Sequence, residues 1–337
     1  MKTEHDFPID FVVTWVNQND SEWQNKKNEF SNCIEGNIRT PMNSEERYRD
    51  FGIFKYWFRS VEKYAPWVNK IYVVTDHQIP EFLNITSGKI QIVSHEDFIP
   101  NEFLPTFNSN VIELFLDRIP GIANHFVYFN DDIYINGPVE KSFFFSIDGL
   151  PKDAAIQIPM QPVSDFEHIP LNVIKLINQK FDKRSIQNKY FSKFINIKYG
   201  LKYNIETILL WPFKKFSMFQ FQHTAYSLRK KDFANLDLHY PNVRQEIGYN
   251  RFRSNSDVSL WLIQALNFVS GNFIPRSTKS SKYLTVKQLD AISCALNSGE
   301  YKVIIVNDIN VNNFSVIKLE LKKLFEKKFG EKSIYEL

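Results

Sequence analysis

Four apolar runs that alternate with helical patterns and end in polar residues constrain this chain most. The runs are Ile9–Val16, Lys70–Thr75, Ile90–Val93 and His125–Phe129. All are rich in β-branched and aromatic side chains, the types that fit a strand covered by neighbours. Phe54, Trp57, Phe58 and Val61 follow a helical spacing, and so do Val111, Ile112, Leu114, Phe115 and Ile119 within Ser109–Ile119. Strand–helix–strand alternation predicts an α/β fold with a mostly parallel sheet flanked by helices.

If the strands are parallel, their polar ends share one edge of the sheet. Those ends are Asn17, Asp76, His95 and Asn130-Asp131-Asp132. Ligands bind beyond the carboxyl ends of the strands in such sheets. Asp131 and Asp132 offer oxygens suited to Mg²⁺ or Mn²⁺, ions that accompany phosphates. The same triplet also reads as a plain strand cap opening a turn. Asp10 lies inside an apolar run, where a carboxylate is costly unless paired or used; a strand-start residue facing solvent is the other reading. Asp50 reads as the N-cap of the helix that follows. Arg59 on that helix either reaches an anion or is exposed.

Residues 138–165 hold four prolines and wrap the sheet, with one more strand at Ala155–Ile158. Glu167–Asn196 is helical in pattern, an insertion or an acceptor-binding lobe, and Trp211-Pro212 breaks the chain. Phe221-Gln222-His223-Thr224 precedes a helix expected over Ala225–Leu236. Asn250–Asp257, with Arg251 and Arg253, leads into a helix whose buried face includes Val258, Trp261 and Leu266 and which Gly271 caps. Tyr301–Val306 is a strand ending in Asn307-Asp308, and a helix over Ser315–Lys328 closes the chain.

Composition narrows the chemistry. A formal charge of +3 is too small for a nucleic-acid binder. No apolar run reaches 18 residues and no signal-peptide pattern opens the chain. Two cysteines, Cys33 and Cys294, fit a reducing compartment. Gly-x-x-x-x-Gly-Lys and Gly-x-Gly-x-x-Gly loops are both absent. What remains is acids and amides at strand ends with His223, Arg251 and Arg253, the ingredients of phosphoryl or glycosyl transfer.

Ile9-Asp10-Phe11-Val12-Val13-Thr14-Trp15-Val16-Asn17 resembles the first conserved block of the Stealth family. The run from Arg47 to Asp132 resembles the second, through Arg59–Val68, Ile71–Asp76, Leu104–Ser109 and the Asn-Asp-Asp triplet. His223, Arg251-Phe252-Arg253-Ser254 and Asp257 match the third block, and Val306-Asn307-Asp308 with Gly330–Ser333 the fourth. The resemblance implies a Rossmann-like, glycosyltransferase-A-like fold in a single catalytic domain over 1–337. Within it, 1–160 would bind the nucleotide sugar, 161–220 would be the helical insertion or acceptor lobe, and 221–337 would complete the core.

It further implies transfer of hexose-1-phosphate from a UDP-hexose or UDP-N-acetylhexosamine to a glycan or lipid-linked oligosaccharide hydroxyl. UMP would be released, in capsular or cell-surface polysaccharide synthesis. The expected location is the cytoplasm, at the inner face of the membrane. By resemblance His223, Asp132, Asp10 and Arg253 are catalytic, with His223 the general base. Asp131 and Asp132 hold Mg²⁺ or Mn²⁺. Thr14, Trp15, Asn17, Arg59, Asn108 and Asn130 bind the donor, Arg59 and Arg253 clamping its pyrophosphate and Asp10 and Asn108 contacting its sugar or ribose. Asn17-Gln18 in place of the family's frequent Asp-Gly, Phe51-Gly52-Ile53-Phe54 at the helix start, and His223-Thr224-Ala225 in place of His-x-Pro bear on sugar and acceptor choice. Two other activities fit the same residues. A metal-dependent glycosyltransferase would release UDP, and a glycan-binding protein would be indifferent to changes at Asp132 or His223.

Overall fold

The computed structural model describes residues 7–32 and 43–337. Cys33 lies outside them, and Cys294 is exposed. The central sheet is built from β1 (Ile9–Thr14), β2 (Ile71–Thr75), β3 (Ile90–Ser94) and β4 (His125–Phe129), in the order β3-β2-β1-β4. All four are parallel, with Val13 beside Val73 on one side and Phe129 on the other. A fifth strand, Tyr226–Arg229, pairs antiparallel with β4, Tyr226 facing Tyr128.

Both faces of the sheet are covered, which is why its strands are almost uninterrupted apolar runs. Phe11, Val13, Val127 and Phe129 pack on one face against the helices Lys55–Tyr64, Leu289–Ser298 and Phe314–Lys328. Val12, Tyr72, Val74, Phe126 and Tyr128 pack on the other against Ser109–Leu114, His168–Lys180, Lys230–His239 and Trp261–Ser270. Each fully buried apolar side chain contributes about 1.5–3 kcal/mol relative to exposure, so the two layers fix the sheet and its polar edge together.

A second sheet joins β5 (Ile133–Ile135) to Val303–Asn307 in antiparallel pairing and Val303–Asn307 to Ser281–Thr285 in parallel. Asn130-Asp131-Asp132 is the turn between β4 and β5. The Ile133 amide donates to the Asn130 carbonyl at 3.1 Å, and the Val306 amide to the Asp132 carbonyl at 3.0 Å. One turn therefore belongs to both sheets, and it places Asn307 and Asp308 beside the acidic triplet.

Residues 161–220 contain the helices His168–Lys180, Lys183–Lys189, Phe191–Phe194 and Leu201–Leu209. The chain leaves the core through Gln157–Ile158 and returns through Met218–Phe219, an antiparallel pair with Ile158 opposite Met218.

Three expectations are corrected. The helix expected over Ala225–Leu236 is the edge strand Tyr226–Arg229 followed by a helix over Lys230–His239. Tyr226 and Leu228 point inward while Ser227 and Arg229 are half-buried, an alternation too short to stand out beside a helical pattern. Asp50 does not cap the helix after it: that helix starts at Lys55, and the Asp50 carboxylate accepts from the Gly52 amide instead. The helix from Ser109 ends at Leu114, with a 3-10 turn at Leu116–Arg118.

Candidate active site

In the order β3-β2-β1-β4 the sheet is wound in opposite directions from β1, which opens a crevice outside the carboxyl ends of β1 and β4. A cavity of about 840 Å³ lies there, a size suited to a ligand larger than a simple sugar. Thr14 and Trp15 line it from β1, and Asn130, Asp131 and Asp132 from the turn after β4. Thr14 Oγ1 is 3.1 Å from the Tyr128 hydroxyl. Trp15 stacks on Phe54, centroids 5.6 Å apart and planes 4° apart, and its Nε1 is buried without a partner.

His223 meets Asp132 across the crevice. Its Nε2 lies 3.0 and 3.1 Å from the two Asp132 oxygens, and its Nδ1 lies 3.5 Å from the Tyr226 hydroxyl. Burial disfavours the protonated ring. The charge and hydrogen bond of Asp132, with Glu113 and Asp131 behind it, outweigh that, and the His223 pKa lies above the ordinary histidine value.

The acidic side is crowded. The Asp131 carboxyl is pushed up to about 8 by desolvation, then by the charges of Asp132 and Asp50. Asn130 Oδ1 is buried without a partner. Asp308 also lines the cavity but is held by Arg49, whose Nε and Nη2 each donate at 2.8 Å. Among the described residues no group of three or more His, Cys, Asp or Glu side chains is arranged to hold a metal ion. Two carboxylates and an amide oxygen still fit a hard cation that takes its other ligands from water and phosphate.

Cations come from elsewhere in the chain. Arg253 donates through Nη2 to Ser109 Oγ at 2.8 Å, and its backbone exchanges hydrogen bonds with the Asn43 side chain in both directions. Arg47 also lines the cavity, close enough to Arg253 to feel its charge. The loop carrying Arg253 is fastened by Asp257, whose carboxylate accepts from Asn108, Asn110, Asn250 and the Ser254 amide. Aromatic rings also line the cavity: Phe221 stacks on Trp261 at 5.1 Å, and Phe166 meets Trp261 edge-on at 5.7 Å.

Four residues assigned by resemblance lie outside the lining. Asp10 is fully buried in the first half of β1 and accepts from Asn69 Nδ2 and the amides of Lys70 and Ala123. It ties the loops leading into β2 and β4 together, at the sheet end away from the crevice. Arg59 is bound by Glu336 at 2.8 Å through both Nε and Nη2, and by the carbonyls of Phe329 and Gly330. It anchors the C-terminal segment. Asn108 is buried as the N-cap of Ser109–Leu114 and donates to Asp257 and to the carbonyls of Asn250 and Phe252. Asn17 exchanges hydrogen bonds with the Gln78 side chain through its backbone. Of the residues read as catalytic, Asp132, His223 and Arg253 meet in the cavity and Asp10 does not.

Arg47, Glu113, Tyr226 and Trp261 line the cavity without having drawn attention as site residues in the sequence. Arg47 opens the second block of the family resemblance, which assigns it no role. Glu113 looks like an ordinary residue of an amphipathic helix, yet burial pushes its carboxyl up to about 7. A raised carboxyl pKa means stability present below the unfolded value of 4.5 and lost as pH climbs through 7. Glu113→Gln is expected to stabilise the protein by about 2–3 kcal/mol at pH 8 relative to pH 4.5. Denaturant unfolding of both proteins at the two pH values checks this; equal differences at both would show that Glu113 does not titrate on folding.

Comparison with known proteins completes the assignment. Residues 7–32 match the model of Stealth protein CR1, conserved region 1, and residues 47–153 that of Stealth protein CR2, conserved region 2. The exopolysaccharide phosphotransferase cps2G of Lactiplantibacillus plantarum is 41% identical over 100% of this chain and 98% of its own. A capsular polysaccharide phosphotransferase WcwK of Streptococcus pneumoniae is 42% identical over 97% and 98%. The receptor polysaccharide phosphotransferase WefC of Streptococcus gordonii is 38% identical over 98% and 99%. With relatives of this likeness along its whole length, and with Asp132, His223 and Arg253 gathered at one sheet edge, the chain belongs to the Stealth family.

Proposed function

We propose that this chain is a polysaccharide phosphotransferase that moves a hexose-1-phosphate from a UDP-sugar to a glycan hydroxyl and releases UMP. The observation that carries the reading is that the His223–Asp132 pair, Arg253 and Arg47 all line one cavity. An acceptor hydroxyl gives its proton to His223 as its oxygen attacks the β-phosphorus of the donor. The new oxygen–phosphorus bond forms as the bond to the bridging oxygen breaks, and that oxygen leaves with UMP. The bond between the anomeric carbon and its oxygen is untouched, so the product is a phosphodiester.

Each side chain has a task in this scheme. Asp132 holds the imidazole by Nε2, which leaves Nδ1 as the basic nitrogen. Arg253 and Arg47 offset negative charge on the diphosphate oxygens. The Trp15–Phe54 stack offers the base a flat wall, and Phe221, Trp261 and Phe166 offer one to a sugar face. The Asp131 and Asp132 carboxylates and Asn130 Oδ1 are the groups that would hold Mg²⁺ or Mn²⁺, which would neutralise diphosphate charge when bound. Residues 161–220 would form the acceptor side of the domain and 1–160 the donor side. Catalysis would take place in the cytoplasm, at the membrane's inner face.

A screen of nucleotide sugars for UMP release, with phosphorus NMR of the product, tests the reaction. UDP as the leaving product would make this an ordinary glycosyltransferase. In the same assay a chelator is expected to abolish transfer and added Mg²⁺ or Mn²⁺ to restore it. Thermal melting with donor should show the same dependence on the ion. Full activity in chelator would remove the cation.

A further inference from the structure

The helix Leu201–Leu209 is built inside out. Leu201, Ile205, Ile208 and Leu209 are 78%, 46%, 52% and 68% exposed. At helical spacing the four fall within one arc about 100° wide. The opposite side, which faces the protein, is the polar one. Thr207 is fully buried and accepts from the Gln157 amide at 3.1 Å, and Asn204 donates to the carbonyls of Asn196 and Gly200. A lone exposed leucine needs no explanation; an apolar stripe turned outward on a helix that packs through its polar side does. The stripe continues into Phe213, 60% exposed just beyond the helix.

Charge says what would cover it. Residues 197–215 contain four lysines, Lys198, Lys202, Lys214 and Lys215, all exposed, and a single acidic residue, Glu206. Lys202, Lys214 and Lys215 are exposed beside the apolar positions in sequence. A second copy of this chain would set this positive segment against itself in a two-fold interface. An anionic lipid surface matches both properties, since apolar side chains enter the interface while lysines meet the headgroups. We propose that this face of residues 197–215 docks the protein on an anionic bilayer. Tyr203 of the same helix lines the cavity, its hydroxyl accepting from Gln220 Nε2 at 3.0 Å. Docking there brings the cavity wall next to a membrane-borne acceptor. Among the described residues no helix is long and apolar enough to cross a membrane, so attachment of this kind would be peripheral.

Vesicle flotation of the full chain tests this without reading turnover, so its outcome is separate from that of the transfer reaction. The chain is expected to float with phosphatidylcholine vesicles holding roughly 30% phosphatidylglycerol, to bind pure phosphatidylcholine far more weakly, and to be released by high salt. Ile205→Ser with Leu209→Ser, and separately Lys214→Gln with Lys215→Gln, should each weaken binding about tenfold or more at unchanged melting temperature. The proposal is overturned if the wild type does not float, if it binds both vesicle types equally, or if both variants float like the wild type. It is also overturned if the wild type is a dimer or captures a protein partner through this face and the serine variant abolishes that contact.

Discussion

Replacing His223 with alanine is expected to lower turnover about 10²–10⁴-fold, the usual contribution of a positioned general base, while donor affinity measured by calorimetry stays unchanged. The basis is geometric. Nε2 is occupied by Asp132, and the other nitrogen lies beside the Tyr226 hydroxyl at the cavity wall. The groups assigned to the donor, Trp15, Arg47 and Arg253, sit on other segments that do not rest on the imidazole. A collapse of donor affinity, or a large loss of melting temperature, would recast His223 as a structural residue.

Arg59→Ala should act in the opposite way. Arg59 is 8% exposed and makes two charge-assisted hydrogen bonds to Glu336, itself 5% exposed. Removing one partner of a buried pair leaves the other unpaired, at about 3–5 kcal/mol. The expected fall in melting temperature is on the order of 5–10 °C, and the surviving folded enzyme should keep its donor KM. A raised KM with unchanged stability would instead support the pyrophosphate clamp that the family resemblance suggested for Arg59.

The central strands were legible because they are buried on both sides and so carry no polar alternation. Thr14, Trp15 and the Asn130-Asp131-Asp132 turn were legible because a parallel sheet collects its strand ends at one edge. Asp10 was not. A carboxylate inside an apolar run looks the same whether it receives three N–H donors or does chemistry. Strand direction did hold a signal, since Asp10 lies four residues upstream of Thr14, about 13 Å along a strand, and so belongs to the far edge. Tyr226–Arg229 and β5 were missed because four and three residues are too few to show a period of two. Glu113 and Arg47 needed the tertiary structure: only packing shows that the Glu113 carboxyl is desolvated, and only the fold brings the exposed Arg47 to the cavity.

The antiparallel pairing of Ile158 with Met218 sets the exit and re-entry points of residues 159–217 side by side. A segment tethered at adjacent points can be exchanged without shifting the register of the strands it hangs from, provided that the residues it buries against the sheet, such as Val173, Ile174 and Ile177, stay apolar. The turn from Phe129 to Ile133 has no such freedom, because one added residue would reverse the facing of Ile133–Ile135 and unseat its partner strand. Chimaeras that exchange 159–217 among relatives should therefore fold where the residues matching Val173, Ile174 and Ile177 stay apolar, whereas single-residue insertions after Phe129 should not fold.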